Sequence, residues 1–329
     1  MGVRSNIDIE PILVSAETRM VNILVDSYAG AAERNVAEMI ASTVETDGAE
    51  VKIRSYEMVT NFKTSDREDD VEFADLDPGT VISVAPTFKH TGLRVGRSEL
   101  ADMGGEGAEK MAEWSRTVAA AAGAHTGRKA IEILKANPTA EWDGLNLFAT
   151  NHPTGYNSIT FSNAHVQANL YSGTLDQANT AFATVLALIN SIPTKAGYAT
   201  RFGELLWLVP SAFAWRARQL TAAGFLPASN GTLDNTVNAG YGIRVVEVPE
   251  LGQKFTGVAA DDTTSYLACA PLSGHAGLIV VDRQGLEVQM HGPSTSAELN
   301  RKSSFEYVAR FRNEVIAGRA SHIHRISAA

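Results

Sequence analysis

Residues 141–153 read Glu141-Trp-Asp143-Gly-Leu-Asn-Leu-Phe-Ala-Thr-Asn-His152-Pro153. A Trp-Asp-Gly turn leads into the apolar run Leu145-Asn-Leu147-Phe148 and stops at Asn151-His152-Pro153. Asp-Gly and His-Pro punctuate the two ends as turns. Asp143 and His152 have the chemistry of a base and an acid, but no nucleophile stands at a recognisable spacing. The chain has neither a Gly-x-Ser-x-Gly elbow nor a His-Glu-x-x-His helix. The pair is therefore expected to set turn geometry and to satisfy local backbone groups.

The block follows a long Ala-rich segment. Met111, Trp114, Val118, Ala121, Ala122, Ile131, Ile133 and Leu134 recur at helical steps up to Asn137-Pro138, which stops the helix. Gly123 and Gly127 are expected to bend or interrupt it, and Ser98 or Asp102 to cap it. Residues 104–136 would reach roughly 50 Å at about 1.5 Å per residue, the length of a strut.

Farther upstream, residues 16–43 read as an amphipathic helix and residues 50–97 as strands. Between the strands lies Asp66-Arg-Glu-Asp-Asp-Val-Glu-Phe-Ala-Asp-Leu-Asp-Pro-Gly79, with seven acids and one base. This is too polar for a core hairpin. It reads as a solvated loop or as an arm that docks on another subunit.

Downstream, Thr174-Leu-Asp-Gln177 is a capping box that opens a helix. Leu205–Pro210 reads as a buried strand and Ser211–Ala223 as a helix. Residues 243–248, 265–269 and 277–281 are further strands, so residues 150–281 are expected to form one α/β unit. Residues 286–290 and 305–316 then read as strands, the latter exposed or at an edge. From Arg301 to Arg325 there are six Lys or Arg and two Glu. This basic end is opposite in sign to the acidic loop.

The bulk numbers exclude several classes. With 329 residues, 44% of them hydrophobic and 20% charged, the chain can bury one or two cores and is not of disordered composition. No apolar stretch is long enough to span a bilayer, and the start lacks a secretory signal. A net charge of −9 disfavours a protein that grips nucleic acid by neutralising phosphates, though not a container for it. Cys269, the single cysteine, permits no intrachain disulfide and sits among apolar neighbours, so it is read as a buried hydrophobe.

Three constellations fall short of a site. His322-Ile-His324 puts two imidazoles on one strand face, but no third ligand is near in sequence. The acids around Asp69-Asp70 lack EF-hand spacing and its central Gly. Gly104-Gly-Glu-Gly107 lacks the Gly-Lys-Ser/Thr of a phosphate loop. No catalytic, cofactor or metal site is expected.

In this setting the 141–153 block resembles the major head subunit family of Mu-like phages, which carries a "DG…LF…HP" block near mid-chain. Thr87–Met103 resembles that family's approach to its spine helix, Leu206–Pro210 its buried strand, and Phe305–Arg319 its closing segment. The resemblance implies an α+β, HK97-like capsid fold. Its parts would be an N-terminal arm (1–46), an E-loop with flanking strands (47–86), a peripheral domain with the spine helix (87–140), an axial domain (141–281), and a return segment with the last strand (282–329). It implies a major capsid protein whose pentamers and hexamers form an icosahedral phage head around double-stranded DNA. The implied partners are many copies of itself, a separate scaffolding protein, a portal protein, a decoration protein, and DNA contacted weakly; no membrane is implied. Assembly would take place in the host bacterial cytoplasm and end in the virion. In this picture Asp66, Glu68, Asp69, Asp70 and Glu72 meet Arg310 or Arg312 of a neighbouring copy. The competing readings are an encapsulin-like nanocompartment shell and a soluble α/β enzyme using Asp143 and His152.

Overall fold

The computed structural model describes residues 26–28, 35–54, 80–96, 105–140, 142–195, 197–222, 225–228, 231–234, 242–271, 275–291 and 304–329. In chain order the first elements are α1 (Val36–Ile40), β1 (Ala41–Glu45), β2 (Val51–Arg54), β3 (Val81–Val84) and β4 (Thr87–Gly96). Then come α2 (Gly105–Ala136), β5 (His152–Pro153), β6 (Thr160–Phe161), β7 (Ala164–Val166), α3 (Ala168–Ser172) and α4 (Leu175–Asn190). β8 (Phe202–Val209), α5 (Ser211–Ala222), β9 (Phe225–Ala228), β10 (Gly231–Asp234) and β11 (Ile243–Glu247) follow. The chain ends with α6 (Gln253–Thr256), β12 (Thr264–Pro271), β13 (Leu278–His291), β14 (Ser304–Ala317) and β15 (Ile323–Ser327).

The strut is helix α2. Its 32 residues run without interruption past Gly123 and Gly127, a length of about 48 Å. Met111, Ala112, Val118, Ala119, Ala122, Ala130, Ile131 and Leu134 form its buried stripe. It stops at Asn137, whose left-handed φ of 48° is one that asparagine tolerates at a helix end and that cannot continue the helix. The proposed caps at Ser98 and Asp102 lie outside the described residues. Gly127 has a different task from bending. A Cβ there would lie 2.5 Å from Asn35 Oδ1. Asn35 is the N-cap of α1: its Oδ1 accepts from the Ala37 N–H at 2.9 Å and its Nδ2 donates to Gly123 O at 2.8 Å. The glycine thus lets α1 lie against the strut. The helix expected over 16–43 does not continue to its end, because Ala41–Glu45 is a strand.

One side of the strut packs on a four-stranded sheet of order β1-β13-β14-β4. Its inward face carries Tyr307 against Trp114 (ring centroids 6.4 Å) and Phe311 against His125 (5.3 Å). β14 is therefore interior, paired antiparallel with both β13 and β4, and not the edge strand its arginines suggested. The stretches expected as two strands, 277–281 and 286–290, are one strand, β13, with register shifts at 282–287. Its first residues belong to this sheet rather than to the 150–281 α/β unit.

The other sheet has order β11-β8-β12-β15-β7. Helices α4 and α5 cover one face, where Phe182 stacks on Trp207 at 4.1 Å and Val185, Leu186, Phe213, Leu267 and Ile326 close the core. The capping box of α4 is complete, Thr174 and Gln177 bonding each other's backbone. The opposite face presents Leu206, Leu208, Tyr266, Ala268 and Ile323 to Ala130, Ile131 and Leu134 of α2 and to Leu278, Val280 and Val315 of the first sheet. The C-terminal half of the strut is thus shared by both sheets.

A short antiparallel pair, β2 with β3, rests on the outward face of the four-stranded sheet. Ile53, Ile82 and Val84 bury against Ile279 and Val281. Residues 55–79, which connect the two strands in sequence, lie outside the described residues.

Candidate functional site

Two places in the fold hold the residues to which the sequence drew attention. The first is the 141–153 block. Asp143 Oδ1 accepts the Leu145 N–H at 3.0 Å, which closes an Asx turn whose Gly144 has φ +72°. Asp143 Oδ2 lies 2.6 Å from His152 Nδ1. The imidazole is fully buried and stacks on Phe161 at 5.3 Å. Its Nε2 meets no hydrogen-bond partner among the described residues. A base that is to act on a substrate needs a path to it and a group to activate. Among the described residues this ring has neither, and it acts as a wedge that holds the turn.

The block is clamped at three further points. Asn137 exchanges bonds with Phe148, Nδ2 donating to Phe148 O at 3.2 Å and Oδ1 accepting the Phe148 N–H at 2.6 Å. Trp142 Nε1 donates to Ala317 O at 3.2 Å. Asn163 Oδ1 accepts the Ala149 N–H at 2.9 Å, and its Nδ2 reaches Leu147 O (2.6 Å), Ala320 O (3.0 Å) and Ile323 O (3.1 Å). Leu147 and Phe148 go into the core shared by the two sheets. The block is a clasp joining the end of α2, the end of β14 and the C-terminal strand. Asn163 was not foreseen, and a lone Asn in a polar stretch offers no signal for it.

The expected imidazole pair His322 and His324 is broken up. His322 ends a 3₁₀ turn, Ala320–His322, and bonds Ser321 Oγ at 3.0 Å. His324 sits on β15, and its Nδ1 lies 3.2 Å from Nε2 of His165 on β7. Burial drives all three down, His322 and His165 to about 4 and His324 to about 3. Among the described residues no three His, Cys, Asp or Glu gather to hold a metal. Cys269 is buried, and burial pushes its thiol well up, so it is inert as a nucleophile.

The second place is the outward face of the four-stranded sheet beyond the β2–β3 base. Cross-strand register puts Phe88, Arg312 and Gln284 in one row, His90, Arg310 and Glu287 in the next, and Arg94 with Glu306 in another. Arg310 and Arg312 therefore share one face. Arg310 is engaged within the chain, its Nε lying 2.9 Å from Glu287 Oε2. Arg94 pairs with Glu306 at 2.6 Å. Arg312 differs. Its guanidinium lies over the Phe88 ring at 5.5 Å, and its Nε has no hydrogen-bond partner among the described residues. Phe88 is 46% exposed. The guanidinium has no ion pair among the described residues. The acids assigned to it, Asp66, Glu68, Asp69, Asp70 and Glu72, lie outside the described residues.

A strut between two sheets, one helix-covered and one carrying a hairpin base, defines a mixed α and β fold of the HK97 capsid type. The phage capsid protein family matches residues 101–313, more than half of the chain. The chain belongs to that family, and its place is the virion shell. Among solved structures it is similar to the capsid of the cyanophage P-SCSP1u, with a TM-score of 0.52, 9% identity, and coverage of 90% of this chain and 88% of that one. It is similar too to a virus-like particle from Pyrococcus furiosus, with a TM-score of 0.50, 10% identity, and coverage of 94% and 98%. Against the bacteriophage JBD30 capsid the TM-score is 0.46 at 12% identity, over 88% of this chain and 64% of that chain's length. No curated protein matches the sequence. These matches reach the phage capsid family and not its Mu-like branch.

Proposed function

We propose that the chain is a major capsid subunit that self-assembles into pentamers and hexamers of a phage head around double-stranded DNA, with no turnover of its own. The carrying observation is the outward sheet face. It offers Arg312, which has no ion pair among the described residues, on the side of the sheet that carries the β2–β3 base, the two strands that the acidic segment joins in sequence. In this reading residues 66–72 of one copy lie across the sheet of its neighbour and place a carboxylate on Arg312. Arg310 is secondary because Glu287 already occupies it. Such complementarity fixes register more than it adds affinity, which suits a shell whose closed symmetry multiplies modest contacts.

Within the subunit, residues 1–46 would be the N-terminal arm and 47–86 the E-loop, with α2 as spine. Sheet membership argues for moving two boundaries from their first placement. Residues 278–281 go with the peripheral return segment, and Ile323–Ser327 with the axial unit. A separate scaffolding protein, a portal protein and a decoration protein would complete assembly in the host bacterial cytoplasm. With a net charge of −9 the packaged DNA would be contacted weakly.

Purified chain should form closed shells in electron micrographs. Reversing charge at Asp69 and Asp70, or at Arg312, should abolish them, and combining the two should restore them. A discrete monomer or dimer whose turnover is lost in His152→Ala would overturn the reading in favour of an enzyme. The likeness to a virus-like particle supports a second reading, an encapsulin-like compartment. Particle contents decide it, DNA against a protein cargo.

A further inference from the structure

The clasp borders a weak seam. β7 is a three-residue edge strand, held parallel to β15 with His165 opposite Ile326. Beside it the two imidazoles of His165 and His324 face each other at 3.2 Å, His165 being 6% exposed and His324 0%. A hydrogen bond between two imidazoles needs one protonated and one bare nitrogen at the contact. If both rings carry a second proton, two N–H groups point at one another and the bond is lost. His324 cannot turn its other nitrogen to the task, since Nε2 already lies 3.1 Å from Ser321 O.

Among the described residues no carboxylate bonds either ring. β15 adds Arg325, whose guanidinium is turned over Phe148. The 3₁₀ turn adds His322, and the charge of Arg319 beside it disfavours its protonation. β5 adds His152, whose Nδ1 is taken by Asp143. β12 adds the neutral Ser265 and Tyr266, and α3 adds Tyr171, whose hydroxyl donates to Ile326 O at 2.6 Å. The Oδ2 of Asp143 is committed to His152.

We propose that the His165–His324 pair is an acid-operated latch. When both rings take up a proton, β7 parts from β15 and leaves the edge of the five-stranded sheet, while the rest of the subunit stays folded. The sign follows from burial. His165 and His324 titrate near 4 and 3 in the closed seam and near the ordinary value of about 6.5 once released. The seam's stability is therefore full above about 6.5 and falls as pH drops toward 4.

The test is amide hydrogen exchange on the full chain between pH 7 and 5, corrected for intrinsic rates. The amides to read are Gln167, which donates to Ser327 O, and Arg325, which donates to Asn163 O. Two protons taken up on opening should raise the opening constant about 100-fold per pH unit between roughly 6 and 5. Amides within α4 should not follow. His165→Gln keeps a donor and an acceptor without a titrating ring and should cut the dependence to about tenfold per unit. His275→Gln, outside the seam, should leave it unchanged. A pH-independent opening constant, or an unchanged slope in His165→Gln, overturns the latch. If that variant does not fold, NMR titration of the wild-type imidazoles decides. His165 and His324 neutral at pH 5 support the proposal, and either one protonated at pH 6 with the seam closed overturns it.

Discussion

The two sheets share the C-terminal half of the strut yet are finished differently. The five-stranded sheet has both faces covered by its own chain, with α4 and α5 on one side and α2 with the other sheet behind. Among the described residues the four-stranded sheet is covered inside by α2 and outside only at one end, by the β2–β3 base. The rest of its outward face keeps an exposed Phe88, two internal ion pairs and the unpaired Arg312. Side chains of the first region hold the subunit together, and those of the second have little to do within it. The difference can be tested by substitutions whose effect on subunit stability should shrink from the covered sheet to the open face.

The largest loss is expected at Trp207. It is fully buried, stacks on Phe182 and donates from Nε1 to Ser265 Oγ at 3.0 Å. Trp207→Ala should cost about 3–5 kcal/mol, read as a lowered midpoint of urea unfolding. Asn163→Ala comes next. It removes one acceptor and a donor shared by three buried carbonyls, and about 3 kcal/mol is expected from groups left unpaired. The same measurement checks it. A loss below about 1 kcal/mol would mean that water replaces the amide, and the clasp would then be looser than drawn.

The strut was legible because a single apolar stripe recurs at helical steps and Asn137-Pro138 ends it. The capping box at Thr174 was legible because its chemistry is local. Partner choice was not. An arginine-rich strand with alternating apolar residues looks like an edge. Backbone pairing, however, is indifferent to side-chain charge, and Tyr307, Ala309, Phe311 and Val315 sufficed to place β14 in the interior. Nor does periodicity say which sheet residues 278–281 join. Asn163 binds Ile323 O and His165 meets His324 across 160 and 159 residues of chain, distances over which sequence pattern carries no geometry.

His152→Ala probes the same clasp from its other end. Removing the ring leaves Asp143 Oδ2 without its partner and opens a space against Phe161. About 2 kcal/mol of destabilisation is expected, from the lost bond and the partly unpaired carboxylate together. Asp143→Asn should do less harm, since an amide oxygen still accepts from Leu145. If the two substitutions cost the same, the bond to the ring rather than the turn is what the aspartate contributes.

Arg312→Glu should be the mildest for the isolated subunit and the most disruptive for assembly. Arg312 has no ion pair among the described residues, and its contact with Phe88 contributes about 0.5–1 kcal/mol at an exposed site. The unfolding midpoint should therefore move little. Arg310→Glu differs, because it breaks the pair with Glu287 and sets two carboxylates facing each other across β13 and β14, so it should cost measurably more. In a shell the order reverses. Arg310 is already neutralised within its own chain, so its loss takes little from a neighbour, whereas Arg312 is the cation left over. Unfolding curves and particle yield, measured on both variants, separate the cases. If Arg310→Glu stops assembly and Arg312→Glu does not, the open face binds its neighbour through some other row of side chains.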